Sequence, residues 1–258
     1  MRSLIFNGFF YGFTLVMALV CYIAARTSTR DRLHRAIGFW GRTLIGAVRL
    51  ILDARIEMRG LENLPPGGPK LVICKHQSEL DIVLLASVLP QFGAVAMQEL
   101  ERYPFFGTIL RKLDLVLVSV NGERQGRTAM AIAGAQRVIA EGRPMFIFPE
   151  ATLMSLGAKE RYRNGAGHIY DALGVEAVPV ASSLGVIWPR REWKKHAHQT
   201  AAIEVLPAIP PGLDRDSFMA EIEHQIEAAT MRLIREHAKG TALAAAEDRH
   251  ARGVANED

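Results

Sequence analysis

Cysteine is scarce: Cys21 and Cys74 are the only two in 258 residues. One lies in an apolar N-terminal run and the other ends a short strand-like run, so a disulfide framework does not fit and a reducing compartment is expected. The chain also lacks any CxxC pair, HExxH helix, GxGxxG turn or Walker-type loop. Zinc-peptidase, dinucleotide and nucleotide-phosphate chemistries therefore have no residues to rest on. No repeat of solenoid length occurs. Strong charge of one sign is missing as well: a net charge of +4 suits anionic partners such as lipid head groups, acidic carriers or coenzyme phosphates, and selects none of them.

What is present begins with a long uncharged stretch, "LIFNGFFYGFTLVMALVCYIAA" from Leu4 to Ala25. As a helix it would be about 33 Å long at ~1.5 Å per residue, enough to cross a hydrocarbon core. It is longer than the usual core of a signal peptide, and "CYIAAR" is a poor cleavage site, so it is expected to be retained. Arg26, Arg30, Arg32 and Arg35 follow it directly, which predicts that the downstream chain stays on the cytoplasmic side.

The next segment, Arg35 to Met58, is read as a second helix. It has apolar residues at Ile37, Trp40, Leu44, Val48 and Ile51, and arginines at 35, 42 and 49 on another face. Its periodicity is compatible both with a helix lying among lipid phosphates and with a core helix carrying a solvated basic stripe.

After "RGLENLPPGGPK" the pattern changes to alternating strands and helices. The strands are "KLVICKH", "GAVAM", "DLVLVSV", "RPMFIFP", "VEAVPVASS" and "AAIEVL"; helices lie between them, and an amphipathic helix runs from Arg215 to Ala238. This predicts an α/β fold, a mixed and mostly parallel sheet flanked by helices, with an N-terminal membrane-associated helical pair. The expected organisation is a membrane-associated segment over 1–55, an α/β body over 56–240 and a flexible tail over 241–258.

The chemistry concentrates in "KHQSELD", Lys75 to Asp81. Residues five apart on one helix point about 140° away from each other. Ser78, however, is a strong N-cap candidate, which leaves His76 in the corner before the helix and puts Asp81 at its third position. An imidazole there can reach back to a first-turn carboxylate, giving a general base with an orienting acid. Ser78 with an acid three residues later is also a capping box, so Asp81 is equally explained as a cap.

The stretch resembles the H-x4-D block of the glycerolipid acyltransferase family, typified by bacterial 1-acyl-sn-glycerol-3-phosphate acyltransferases. Three further stretches resemble that family's later blocks in order: "MQELERYPFFG" (Met97 to Gly107), "FIFPEAT" (Phe146 to Thr152) and "AVPVASS" (Ala177 to Ser183). The resemblance covers about Arg59 to Pro211. It implies a catalytic pair His76 and Asp81, and acceptor contacts from Gly107, Glu150, Thr152 and Arg163. It also implies transfer of a fatty acyl group from acyl-CoA or acyl carrier protein to a lyso-phospholipid at a membrane. No cofactor, metal or nucleic acid is expected.

Met97, Ser119, Val120, Ala151 and Leu153 depart from the family's pattern, and Met97, Val120 and Leu153 stand at usually basic positions. The acceptor is accordingly read first as 1-acyl-sn-glycerol-3-phosphate and second as another lyso-lipid, such as a lyso-ornithine lipid. Rival readings are a hydrolase built on Ser183 or Cys74, a non-catalytic membrane-binding module, and a metal site at His196 and His198.

Overall fold

The computed structural model describes residues 1–64, 68–119 and 124–256. Val120, and Pro65 to Gly67 of the expected turn, lie outside the described residues. Two helices come first, α1 (Arg2–Thr27) and α2 (Arg30–Ile51), the second capped by the Thr29 side chain. The body then runs β1 (Arg55–Arg59), β2 (Leu71–Cys74), α3 (Glu79–Val88), β3 (Gly93–Met97), α4 (Phe106–Leu113), β4 (Val116–Val118), α5 (Arg124–Ala140) and β5 (Met145–Ile147). It continues with α6 (Gly165–Leu173), β6 (Ala177–Ser182), β7 (Thr200–Val205), α7 (Arg215–His237) and α8 (Gly240–Arg252).

The strands form one seven-stranded sheet in the order β1-β7-β6-β2-β5-β3-β4. Every pairing is parallel except that of β6 with β7. β2 and β5 lie well inside the sheet, and both are fully buried apolar runs, as strands covered by helices on both faces must be. Their side chains alternate between two cores: Val72, Cys74 and Phe146 point into one, Leu71, Ile73, Met145 and Ile147 into the other. The chain leaves β2 toward β3 on one side, and leaves β5 toward β6 on the other. Such a reversal opens a crevice beyond the carboxyl ends of the strands, where α/β proteins place their ligands.

Two expectations are corrected. Arg55 to Met58 do not extend the second helix; α2 ends at Ile51 and the segment becomes edge strand β1, paired in parallel with β7 from Arg55↔Thr200 to Arg59↔Glu204. The stretch expected as a flexible tail over 241–258 is helical from Gly240 to Arg252, with Ala246 fully buried.

α1 lies along the body instead of projecting from it. Phe6 sits edge-on to Trp188 at 5.8 Å, the Asn7 side chain donates to the Trp193 carbonyl, and Thr14 accepts from the Trp40 indole. Farther along, Met17, Cys21 and Ala25 share a core with Leu33, Ile109 and Leu113. The opposite face is bare and apolar: Leu4, Leu15, Val16 and Ile23 are all more than half exposed. α2 turns Leu33, Leu44 and Val48 inward and leaves Arg35, Arg42 and Arg49 in solvent. Its apolar stripe is thus a core face, although Phe39 and Leu50 stay exposed beside it; the longer uncovered apolar surface belongs to α1.

Candidate active site

The alternation of β2 continues past its end. Lys75 falls on the side of α7, and His76 falls on the side of Cys74, at the carboxyl ends of β2 and β5. The corner then turns into α3, whose N-cap is Ser78. The Ser78 hydroxyl accepts from Leu80 N at 3.2 Å, and Asp81 Oδ2 accepts from the backbone N–H of Ser78 at 2.8 Å and of Gln77 at 2.7 Å. The same Oδ2 lies 3.3 Å from His76 Nδ1. One carboxylate oxygen is therefore both helix cap and imidazole partner, so the two readings of the sequence hold together. The other oxygen, Oδ1, accepts from the Ser182 hydroxyl at 2.6 Å. Asp81 and Ser182 are fully buried, while the His76 side chain keeps 13 % of its surface open.

With Asp81 beside Nδ1, the tautomer carrying its proton there leaves Nε2 as the basic ring nitrogen, the arrangement a general base needs. The register explains the next neighbour. Ile73 is paired with Ile147, so one step on Cys74 is level with Phe148, and the Phe148 ring comes beside the following corner. It stacks on the His76 imidazole with centroids 3.9 Å apart and planes 16° from parallel.

Beneath the corner lies a buried ionic cluster. Lys75 Nζ is 2.6 Å from Glu227 Oε1, which also accepts from the Tyr162 hydroxyl at 2.9 Å, and 3.2 Å from Glu150 Oε1. Burial pushes the Lys75 ammonium down, but the two glutamates outweigh it and leave it raised. Burial also raises the Glu150 carboxyl, against the pull of Lys75. Burying a lone ammonium would cost several kcal/mol, so the cluster forms only because its charges meet.

The other predicted positions divide. Glu150 is fully buried on Lys75, which gives it a part in holding the corner from below. Thr152 is half-buried in the loop after β5, and exposed Arg163 bonds through its backbone N–H to the Pro149 carbonyl, so both adjoin the "FPEAT" turn. Ala151 holds a φ of 56°, a left-handed value at which glycine is at ease, so the turn persists without one. Gly107 is buried in the first turn of α4, where an added Cβ would meet Glu101 O and Arg111 rather than His76 or Asp81. Met97 is half exposed at the end of β3. Phe148, Ser182, Lys75 and Glu227 were not marked from sequence. Phe148 and Ser182 stood inside the quoted blocks, and their strand alternation was the available signal.

The rival chemistries find little footing. Ser183 is fully buried and accepts from Ala202 N at 2.9 Å; His237 Nδ1, 3.3 Å away, already faces the Leu233 carbonyl at 2.8 Å. Burial raises the Cys74 thiol well above its ordinary range, first of several causes. His196 turns to the Val186 carbonyl and His198 to Asp53. Glu57, Glu236 and His237 approach one another closely enough to consider a cation, but the Arg59 guanidinium already bridges both carboxylates.

The Acyltransferase family model matches residues 55–183, from β1 through His76, Asp81 and Ser182. This chain belongs to the Acyltransferase family. The acyltransferase is 27 % identical over 207 residues to a 1-acyl-sn-glycerol-3-phosphate acyltransferase of Pseudomonas aeruginosa, covering 80 % of this chain and 79 % of that one. It is 23 % identical over 217 residues to the human 1-acyl-sn-glycerol-3-phosphate acyltransferase alpha, covering 83 % and 74 %. In fold the acyltransferase resembles the crystal structure of the 1-acyl-sn-glycerophosphate (LPA) acyltransferase PlsC from Thermotoga maritima. The TM-score is 0.74 at 19 % identity, over 93 % of this chain and all of that one.

Proposed function

We propose that this enzyme moves a fatty acyl group from an acyl thioester, acyl-CoA or acyl carrier protein, to the free hydroxyl of a lyso-phospholipid, with 1-acyl-sn-glycerol-3-phosphate as first acceptor. The observation that carries this is Asp81 Oδ2 at 3.3 Å from His76 Nδ1, at the carboxyl ends of the central parallel strands. His76 Nε2 takes the hydroxyl proton while Asp81 steadies the resulting imidazolium. The alkoxide oxygen bonds to the thioester carbonyl carbon, the tetrahedral intermediate collapses, and the carbon–sulfur bond breaks. The leaving thiolate takes the proton back from the imidazolium. The thioester itself carries the activation, so the scheme needs no cofactor. General-base assistance is worth about 10²–10⁴ in rate.

A second acceptor reading has its own support. Met97 and Leu153 offer no charge to a phosphate, and Glu79, one residue after the cap, has Oε2 buried without a hydrogen-bond partner in the described structure. Burial raises its carboxyl, with Lys195 and His76 pulling the other way. An acid so placed suits an acceptor whose head group carries an amine, such as a lyso-ornithine lipid. The bare face of α1 docks the enzyme on the bilayer that holds either acceptor, and the arginines from Arg26 to Arg35 suit the anionic cytoplasmic leaflet.

The test is to offer wild type and His76→Ala a panel of lyso-lipids, lysophosphatidate and lyso-ornithine lipid included, with acyl-CoA and with acyl carrier protein, and to weigh the products. Wild type should acylate lysophosphatidate and the variant should lose at least about 100-fold. Full activity in the variant would remove the mechanism, and a preference for the ornithine acceptor would select the second reading.

A further inference from the structure

The loop that follows the "FPEAT" turn is held from two sides. On the inside, Met154 N donates to the His76 carbonyl at 2.6 Å, joining the loop to the catalytic corner. On the outside, the chain after α7 is folded over it. The Asn256 side chain accepts from Ser155 N at 2.8 Å and donates to the Leu153 carbonyl at 2.9 Å, so one amide clasps both neighbours of Met154. Its Nδ2 also comes within 3.6 Å of Met154 Sδ. Lys159 N donates to the Val254 carbonyl at 2.9 Å, and Arg249 Nη1 to the Leu156 carbonyl at 3.1 Å. Gly157, at φ 76°, lies so close to α8 that an added Cβ would stand 2.0 Å from Ala246 O.

We infer that this C-terminal strap, Gly240 to Asn256, positions the acceptor side of the active site, with Asn256 as its positioning residue; the inference rests on the acyl-transfer reading above. The contacts reach main-chain atoms, so they fix the path of the loop whatever its side chains are. That path adjoins Thr152, read from sequence as an acceptor contact, and begins at Leu153, which stands at a usually basic position of the family. Main-chain hydrogen bonds that are satisfied on both sides of one residue leave it little freedom. Asn256 touches neither substrate nor base; it acts through Leu153, Met154 and Ser155.

The test compares full-length wild type, Asn256→Ala, Asn256→Asp and Gly157→Ala. The measurements are hydrogen exchange of residues 153–159, melting temperature, and kcat and KM with the lyso-lipid that wild type acylates. Asn256→Ala should speed exchange in the loop about tenfold and raise the acceptor KM by a similar factor, with kcat within about threefold and melting nearly unchanged. Asn256→Asp keeps the acceptor for Ser155 N and should fall between; Gly157→Ala should match or exceed the alanine variant. Unchanged exchange and KM in both Asn256→Ala and Gly157→Ala would overturn the inference, as would a fall in kcat and melting with KM fixed, which marks a merely structural contact. If wild type acylates no lyso-lipid, the functional reading fails by itself. Loop exchange then decides the strap, unaltered protection in Asn256→Ala counting against it.

Discussion

The Phe148 ring lies flat on the His76 imidazole, 3.9 Å between centroids, on the side chain that Asp81 holds by its Nδ1 edge. An aromatic face is electron-rich, so it favours the cationic imidazolium of the proposed proton transfer, by about 0.5–2 kcal/mol. Phe148→Leu should therefore lower kcat/KM about 3- to 30-fold, and Phe148→Tyr should restore most of it. Steady-state kinetics on the three proteins checks this, and a leucine variant with wild-type kcat/KM would show the ring to be packing alone.

The buried cluster predicts a pH-dependent defect. Lys75→Met leaves Glu150 and Glu227 facing each other without their cation, a loss of about 3–5 kcal/mol near neutral pH. Glu150 is raised already by burial, so the folded protein binds its proton more tightly than the unfolded chain does. A group shifted in that direction destabilises increasingly as pH rises. The melting-temperature deficit of Lys75→Met should thus be largest at pH 8 and shrink toward pH 5; a deficit that does not vary with pH would contradict it.

His34 predicts the opposite slope. It is buried in α2, edge-on to Phe92 at 5.1 Å, and burial, helped by Arg143 and Arg30, lowers it from 6.5 to about 4. Between those values the unfolded chain binds a proton that the folded one refuses, so stability is present above pH 6.5 and is lost as pH falls toward 4. The loss amounts to about 3 kcal/mol from this group. Denaturant titrations from pH 7 to 4 should show it, and His34→Leu should flatten that part of the curve.

Membrane attachment is predicted to reside on one side of α1. Leu15 and Leu19 are exposed and touch none of the buried clusters. Leu15→Glu with Leu19→Glu should move the protein from sedimenting liposomes to the supernatant while melting stays within a few degrees. Continued sedimentation would assign attachment elsewhere.

Most of the sheet was legible because β2 and β5 are unbroken apolar runs and the helices between strands carry caps or a clear apolar stripe. β1 was not: in "RIEMR" three of five residues are charged, and the strand follows a helix after three residues, so nothing local separates it from the helix before it. α8 was missed for a different reason. Its grip on the body runs through Ala246, Leu243 and the Arg249 side chain on the Leu156 carbonyl, too few apolar residues to make a visible stripe. The dyad could be read from Ser78 and the spacing of His76 and Asp81, all within six residues. The ionic cluster beneath it was not legible, because Lys75, Glu150 and Glu227 lie far apart in the chain and no local pattern joins them.

Asp81 also shapes how an inert enzyme can be made. Its Oδ2 closes the start of α3 as well as facing the imidazole, so exchanging the acid frays a helix in the act of silencing a catalyst. Replacing the histidine leaves that cap in place. Anyone needing a dead but well-formed copy, to trap a bound lipid or a carrier, should remove the ring and keep the carboxylate.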